Sequence, residues 1–362
     1  VWTPFFIRIP ELWGVKIPKE GIATVIANYD GPYYIVAGKT LYNIDEFPKF
    51  QFPLHNEYYS AHFPGFPLLI KAFSPIFGYP WAMMVVTVLS SFFALWILYL
   101  LLKQLGMKNS ALWITLVSSI FPARFLIVRS IGSPEPLFIA LVLASFYFLY
   151  KEKFWFMGIC AALAQLTKSP GILLFVALLF AITVPQINQL LISPLKAIPK
   201  VLPKVLPLFL IPATAIGIFL FYGRQYNDFF AYFHSGDNIH LMFPPFQVFN
   251  AKQTWVGTFW LEEIIWIYLF AFLGIFQLIK KKMLSLAFFV GVFFASTIFV
   301  SHRDIARYIL PITPFLLIAY SDVINSTFFK WAIIFLIIPI YLFTVNFIIG
   351  NATPIADWGP LL

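Results

Sequence analysis

The sequence predicts an all-α integral membrane protein of about ten transmembrane helices, with a large first outer loop carrying short helices. Three observations predict it. Of 362 residues, 61% are hydrophobic and 11% charged, against about 25% charged in a soluble domain. Apolar runs recur from Pro80 onward with short polar connections between them. When those runs are alternated across a bilayer, the positive charge segregates to one side. The formal net charge of +9 would also suit a nucleic-acid binder, but Lys and Arg are scattered between the apolar runs instead of clustering on a face. No nucleic-acid partner is expected. The sole cysteine, Cys160, lies inside an apolar run, which excludes disulfides and cysteine-ligated metal sites within the chain.

Residues 1–79 mix charges, prolines and aromatics and contain no stretch of the roughly 20 apolar residues that a span needs. They read as a first extracytoplasmic loop domain with short helices at 21–29 and 32–42, and as the home of the catalytic residues. The polytopic domain, 80–350, holds apolar runs at 80–102, 110–122, 134–150, 154–167, 170–184, 203–222, 260–279, 284–300, 308–322 and 329–350. Several are shorter than about 17 residues and end at Pro or Gly, which fits helices that stop at a cavity. Residues 351–362 form an extracytoplasmic tail containing the glycosylation sequon Asn351-Ala352-Thr353. The chain opens at Val1 with no basic, apolar, small-residue leader pattern, which predicts a truncation or processing point.

With 1–79 outside, the inner connections carry eleven lysines and two acids, Glu152 and Asp322, out of 24 basic and 15 acidic residues. The outer side is balanced. All six arginines, Arg8, Arg124, Arg129, Arg224, Arg303 and Arg307, fall outside. Arginine forks bind phosphate bidentately, whereas lysine serves equally well as a topology charge. The outer face therefore reads as the working face, one that handles a phosphate.

Within it, Asn28-Tyr29-Asp30-Gly31-Pro32-Tyr33-Tyr34 sets a carboxylate on a Gly-Pro turn among tyrosines, and His62-Phe63-Pro64-Gly65-Phe66-Pro67 follows. The competing role for Asp30 is to cap the helix that Pro32 opens. Glu135, after Ser133-Pro134, points an ionisable group at the membrane boundary, although an acid at a helix start also complements the dipole. Lys168, in Leu166-Thr167-Lys168-Ser169-Pro170-Gly171, puts a charge at a helix break that costs roughly 3 kcal/mol on insertion scales. Either it serves a site or it snorkels to the interface. Arg303 and Arg307 are four residues apart beside Tyr308 and suit a phosphate clamp, or an interfacial anchor neutralised by Asp304. Arg129 joins them as a candidate. His234, His240 and Asp237 match no established metal-ligand spacing, so no metal site or cofactor is expected from spacing; a divalent metal stays open as an alternative that ligand spacing does not support.

Taken in order, Tyr29-Asp30, the His62 to Leu68 segment, Ser133-Pro134-Glu135-Pro136-Leu137-Phe138, Gly158 to Gly171 and Arg307-Tyr308-Ile309-Leu310-Pro311 resemble the GT-C superfamily of membrane glycosyltransferases, its mannosyltransferase-like members above all. The resemblance spans about residues 28 to 320. It implies a polyprenyl-phosphate-linked sugar donor, a glycan, lipid or protein acceptor in contact with membrane lipids, and a further span ahead of the first loop. Two departures stand out: relatives often carry an acidic pair where only Asp30 is acidic, and Arg where Lys168 stands. The implied chemistry is inverting transfer of a mannose-like sugar on the extracytoplasmic face. Asp30 takes the acceptor proton, Arg303, Arg307 and Lys168 meet the leaving phosphate, His62 and Glu135 position hydroxyls, and Tyr33, Tyr34, Tyr58 and Tyr59 stack on sugar faces. The alternative is a multi-spanning transporter of a lipid-linked or anionic substrate, since broken spans and membrane-level charges also build transport sites.

Overall fold

The computed structural model describes residues 1–258 and 261–362. The first residue of the run 260–279 and the last of the outer loop 223–259 lie outside them. All ten apolar runs yield helix, but only some reach spanning length. Five segments among the described residues are long and apolar enough to cross a bilayer: Tyr79–Gln104, Ser169–Ile192, Pro194–Tyr226, Glu262–Lys280 and Thr327–Gly350. A sixth arises if Ala111–Ile120 and Ala123–Ser130, bent by 72° at Phe121-Pro122, count as one. Pro122 cannot supply a backbone donor to continue the first helix, so the chain turns there.

The remaining runs give shorter apolar helices, Glu135–Tyr150, Phe154–Thr167, Leu284–Thr297 and Ile305–Ala319. At 1.5 Å per residue, helices of this length fall short of a hydrocarbon core about 30 Å thick. The ten-span expectation thus resolves into ten apolar segments, five or six of them of spanning length. Their short members sandwich the molecule's interior: Tyr79–Gln104 packs on Glu135–Tyr150, which packs on Phe154–Thr167, while Leu284–Thr297 lies against Leu173–Thr183 and Glu262–Lys280. Phe146, Phe289 and Phe315 meet at the centre of this core, with ring centroids 5.1 to 5.3 Å apart. Broad lipid-side exposure of residues such as Phe92, Phe335 and Leu220 is what a bilayer solvates.

The first 79 residues fold into helices Ile22–Ile26 and Gly31–Thr40, close to the two expected, and into more than the sequence suggested. A short hairpin pairs Glu11–Leu12 with Val15–Lys16, and an apolar helix runs from Gly65 to Phe77 and packs on Tyr79–Gln104. Its prolines and its join to the next run at Gly78 hid it. Gly65 is required for its seating, because a Cβ there would lie 2.9 Å from the Leu166 carbonyl and from Thr167 Oγ1. A second core joins this region to the far end of the chain: Phe5, Tyr34, Ile35, Tyr42 and Phe66 pack with Ile127, Tyr222, Val345 and Leu361. The C-terminal residues strap the segment ahead of Asp30. Tyr29 N–H donates to Asn351 O at 3.3 Å, Thr353 N–H to Ala27 O at 2.7 Å, and Thr353 Oγ1 to Tyr29 O at 3.1 Å. Asn28, fully buried, donates its side-chain amide to Ile348 O.

Candidate active site

A cavity of about 680 Å³ opens where these elements converge. Each of the six connections that alternation places on the outer side contributes to it: Asp30 and His62, Arg124, Lys168 and Ser169, Asp237, the 302–307 turn, and Asn351. The described lining takes nothing from the five connections of the opposite side.

Asp30 stands at the start of helix Gly31–Thr40, but its side chain makes no capping hydrogen bond. Capping is therefore not its role. The preceding Tyr29 has φ +50°, a left-handed conformation that costs a non-glycine residue and persists only where its surroundings enforce it. The C-terminal strap supplies that enforcement. Gly31 is needed too, since a Cβ there would lie 2.9 Å from Ile26 O. The Asp30 carboxylate reaches the Arg307 fork at 3.4 Å from both Nη atoms and otherwise faces the cavity.

Glu135 behaves differently. It is 2% exposed, and both oxygens are taken. Oε2 accepts from Ser133 Oγ, while Oε1 accepts from Lys168 Nζ at 2.6 Å and Arg307 Nε at 2.7 Å. Ser133 therefore serves Glu135 instead of capping its helix, and Glu135 holds two cations, not acceptor hydroxyls as expected. Lys168 does not snorkel; the break at Ser169-Pro170 aims it into this cluster.

Asp304 reaches across to another connection. It pairs with Arg124 at 2.8 Å, accepts from Tyr29 Oη at 3.2 Å and caps Arg307 N–H. Arg124 donates to Tyr29 Oη at 2.8 Å and lies 4.3 Å over the Phe347 ring. Arg307 lies 4.2 Å over the Tyr29 ring. Tyr29 is thus the hinge between two arginines, and burial together with Asp304 raises its phenol well above the usual range. The sequence reading missed Tyr29, Arg124 and Asp304 as site residues; the outer clustering of arginines was the signal that pointed to Arg124.

The structure scatters some other expected residues. Arg303, Arg307 and Tyr308 line the cavity, as do Tyr34 and His62. Arg129 does not: it donates to Ser118 O at 2.7 Å and sits 4.8 Å over the Phe125 ring. Tyr33 is one layer back, edge-on to Tyr58, Tyr59 and Phe52. The sequon is folded into the site, with Asn351 in the cavity wall and Thr353 bonded to Tyr29.

The histidine-aspartate grouping also changes. His234 pairs with Asp228 at 2.6 Å, and His240 stacks near His302. Asp237 instead joins Asp30 and His62, with one ligand-capable atom from each lying within 4.8 Å of the other two. Burial on its protein side and the neighbouring Asp30 raise the Asp237 carboxyl above its ordinary value, although its outer side opens to solvent. His302 accepts the Asp304 N–H on Nδ1 at 3.0 Å. Burial, opposed by Asp304 and aided by Arg307, His240 and Arg303, lowers its imidazolium to about 4.

The geometry is that of a polar, half-enclosed cavity at one end of an apolar bundle, in which carboxylates, Asp30 and Asp237 among them, face fixed cations. Residues 61–214, somewhat under half of the chain, match the family model described as dolichyl-phosphate-mannose-protein mannosyltransferase. That stretch contains His62, Arg124, Glu135 and Lys168. The chain is accordingly similar to membrane mannosyltransferases. No curated protein and no solved structure matches it.

Proposed function

We propose that the chain is a membrane glycosyltransferase that moves a mannose-like sugar from a polyprenyl-phosphate donor to an acceptor hydroxyl on the extracytoplasmic face, with inversion, Asp30 acting as base. The observation that carries this reading is the contrast inside one cavity between Asp30, whose only side-chain partner among the described residues is the Arg307 fork at 3.4 Å, and a set of cations fixed by Glu135.

A base must reach its proton, and a carboxylate in a partly dry pocket suits an acceptor hydroxyl. An inverting displacement brings the acceptor in opposite the departing phosphate. Arg307, in contact with Asp30, then sits on the acceptor side and keeps that carboxylate oriented. Lys168 and Arg303, which also line the cavity, supply the positive charge for the phosphate, which needs charge compensation more than it needs an acid. Tyr34 and Tyr308 offer ring faces and hydroxyls to the sugar.

The test is transfer of radiolabelled sugar by purified protein from a panel of polyprenyl-phosphate donors to a mixed acceptor extract, wild type against Asp30→Asn. Transfer by the wild type that collapses in the variant supports enzyme class, donor and base together. Full activity in well-folded Asp30→Asn removes the base, and movement of substrate across proteoliposomes without product favours the transporter.

A further inference from the structure

Asp30, His62 and Asp237 come from two connections far apart in sequence, yet one side-chain ligand atom of each lies within 4.8 Å of the others. Ligands held about 2.1 Å from one ion stand about 3 to 4 Å apart, so small side-chain rotations close this triangle on a cation. His62 supplies the independent sign of a missing partner. The residue is 2% exposed, and Nδ1 is buried with no hydrogen-bond partner among the described residues, a state that costs free energy unless something bonds there. The ring is already held in place: Tyr34 meets it edge-on at 4.7 Å and Tyr58 packs at 5.5 Å. Its backbone carbonyl accepts from Tyr42 Oη. Such outer support orients ligands in metal sites.

Charge points the same way. The cavity is lined by five carboxylates, Asp30, Glu135, Asp237, Glu263 and Asp304, and by four cations, Arg124, Lys168, Arg303 and Arg307. A phosphate-bearing substrate adds further negative charge; this part of the argument rests on the donor proposed above, whereas the ligand geometry does not.

We propose that Asp30, His62 and Asp237 form a divalent cation site, with Mn2+ or Zn2+ as its occupant. One imidazole beside two carboxylates favours these ions over Mg2+ and Ca2+, which take oxygen ligands. Three protein ligands leave coordination positions open toward the cavity for an anionic oxygen or water. Each carboxylate gives one oxygen, so the second oxygen of Asp30 remains for the acceptor hydroxyl.

The experiment uses the full chain, purified in detergent and stripped with a chelator, and titrates it with MnCl2 while the electron paramagnetic resonance signal of free Mn2+ is followed. One Mn2+ bound per chain, displaced by Zn2+, is expected, together with a rise in Tm on adding the ion. Asp237→Asn and His62→Gln should each weaken Mn2+ binding at least tenfold and abolish the Mn2+-dependent rise in Tm. The Tm of each stripped variant, measured beside stripped wild type, separates a lost ligand from a lost fold. Asp237 lies at the exposed mouth, so that variant keeps the test decisive if His62→Gln misfolds. Wild type that leaves Mn2+ free, or Asp237→Asn that binds it as tightly, overturns the site. Binding is read without substrate, so a chain that transfers sugar but binds no Mn2+ sinks the cation alone. A chain that binds Mn2+ and transfers nothing upholds the cation and sinks the transferase reading.

Discussion

The cavity holds two acidic centres built in opposite ways. Glu135 sits at the base, closed from solvent, with every oxygen bonded to Ser133, Lys168 or Arg307. Asp30 has its side chain 23% exposed and, among the described residues, only the long contact to Arg307. A saturated carboxylate fixes its neighbours and is spent in doing so. An unsaturated one is available to a ligand, and its surroundings must be held by something else. Here that something is the Tyr29 turn and the C-terminal strap. The difference shows that charge count alone does not say which carboxylates of this cavity, Asp30 and Asp237 among them, can take a ligand; the count of free lone pairs does.

The comparison breaks most sharply under substitution of the two acids. Asp30→Asn should leave Tm within a few degrees of wild type and cut transfer by roughly 10² to 10⁴, the usual contribution of a positioned base. Glu135→Gln should do the reverse in emphasis, costing about 3 to 5 kcal/mol of stability because it leaves Lys168 and Arg307 without their shared counter-ion. Thermal melts and single-time-point transfer assays on the pair check both. If Asp30→Asn unfolds the chain while Glu135→Gln is only slow, the assignment of free and spent carboxylate is inverted.

A smaller effect concerns the rim. His302 is held near 4 in the folded chain, against about 6.5 when unfolded. Above pH 6.5 both states are neutral and nothing is gained or lost. As pH falls from about 6.5 through 4, the unfolded chain takes up a proton that the folded chain refuses, so stability drops, by roughly 3 kcal/mol at most. His302→Gln should flatten that stretch of the stability-pH curve. The least expected effect is that of Tyr29→Phe, which removes hydroxyl bonds to Arg124 and Asp304 but leaves their direct pair, at a cost of about 1 kcal/mol. A Tm shift matching that of Glu135→Gln would mean that the arginines depend on Tyr29 and not on the carboxylates.

Much of this arrangement was legible in the sequence, and the limits have physical reasons. Apolar runs mark helices because backbone donors in hydrocarbon have nowhere else to go, and all ten runs are helical. Their number as spans was not legible, since a run records apolarity and not where Pro or Gly ends the helix, as at Phe121-Pro122. Asp30, His62, Glu135, Lys168, Arg303 and Arg307 were legible as polar groups at outer helix breaks, and one cavity collects them. Arg129 carried the same signal, but helical phase turns it to the Ser118 carbonyl. Asp237 was read with its sequence neighbours His234 and His240, because spacing shows only local partners; its contact with Asp30 and His62 bridges about 200 residues and is visible only once the chain is folded.

The strap formed by residues 348–353 on 27–29 also sets an order in time. Chains are synthesised N-terminal end first, so Asp30 leaves the ribosome among the earliest residues described here, and the backbone that pins it among the last. Until Thr327–Gly350 and the residues after it have been made, the Tyr29 turn lacks its bonds to Asn351 and Thr353, and Asp30 lacks the support they give. The Thr353 to Tyr29 bond that closes the turn spans 324 residues of chain, so the turn is completed by a segment made well after it.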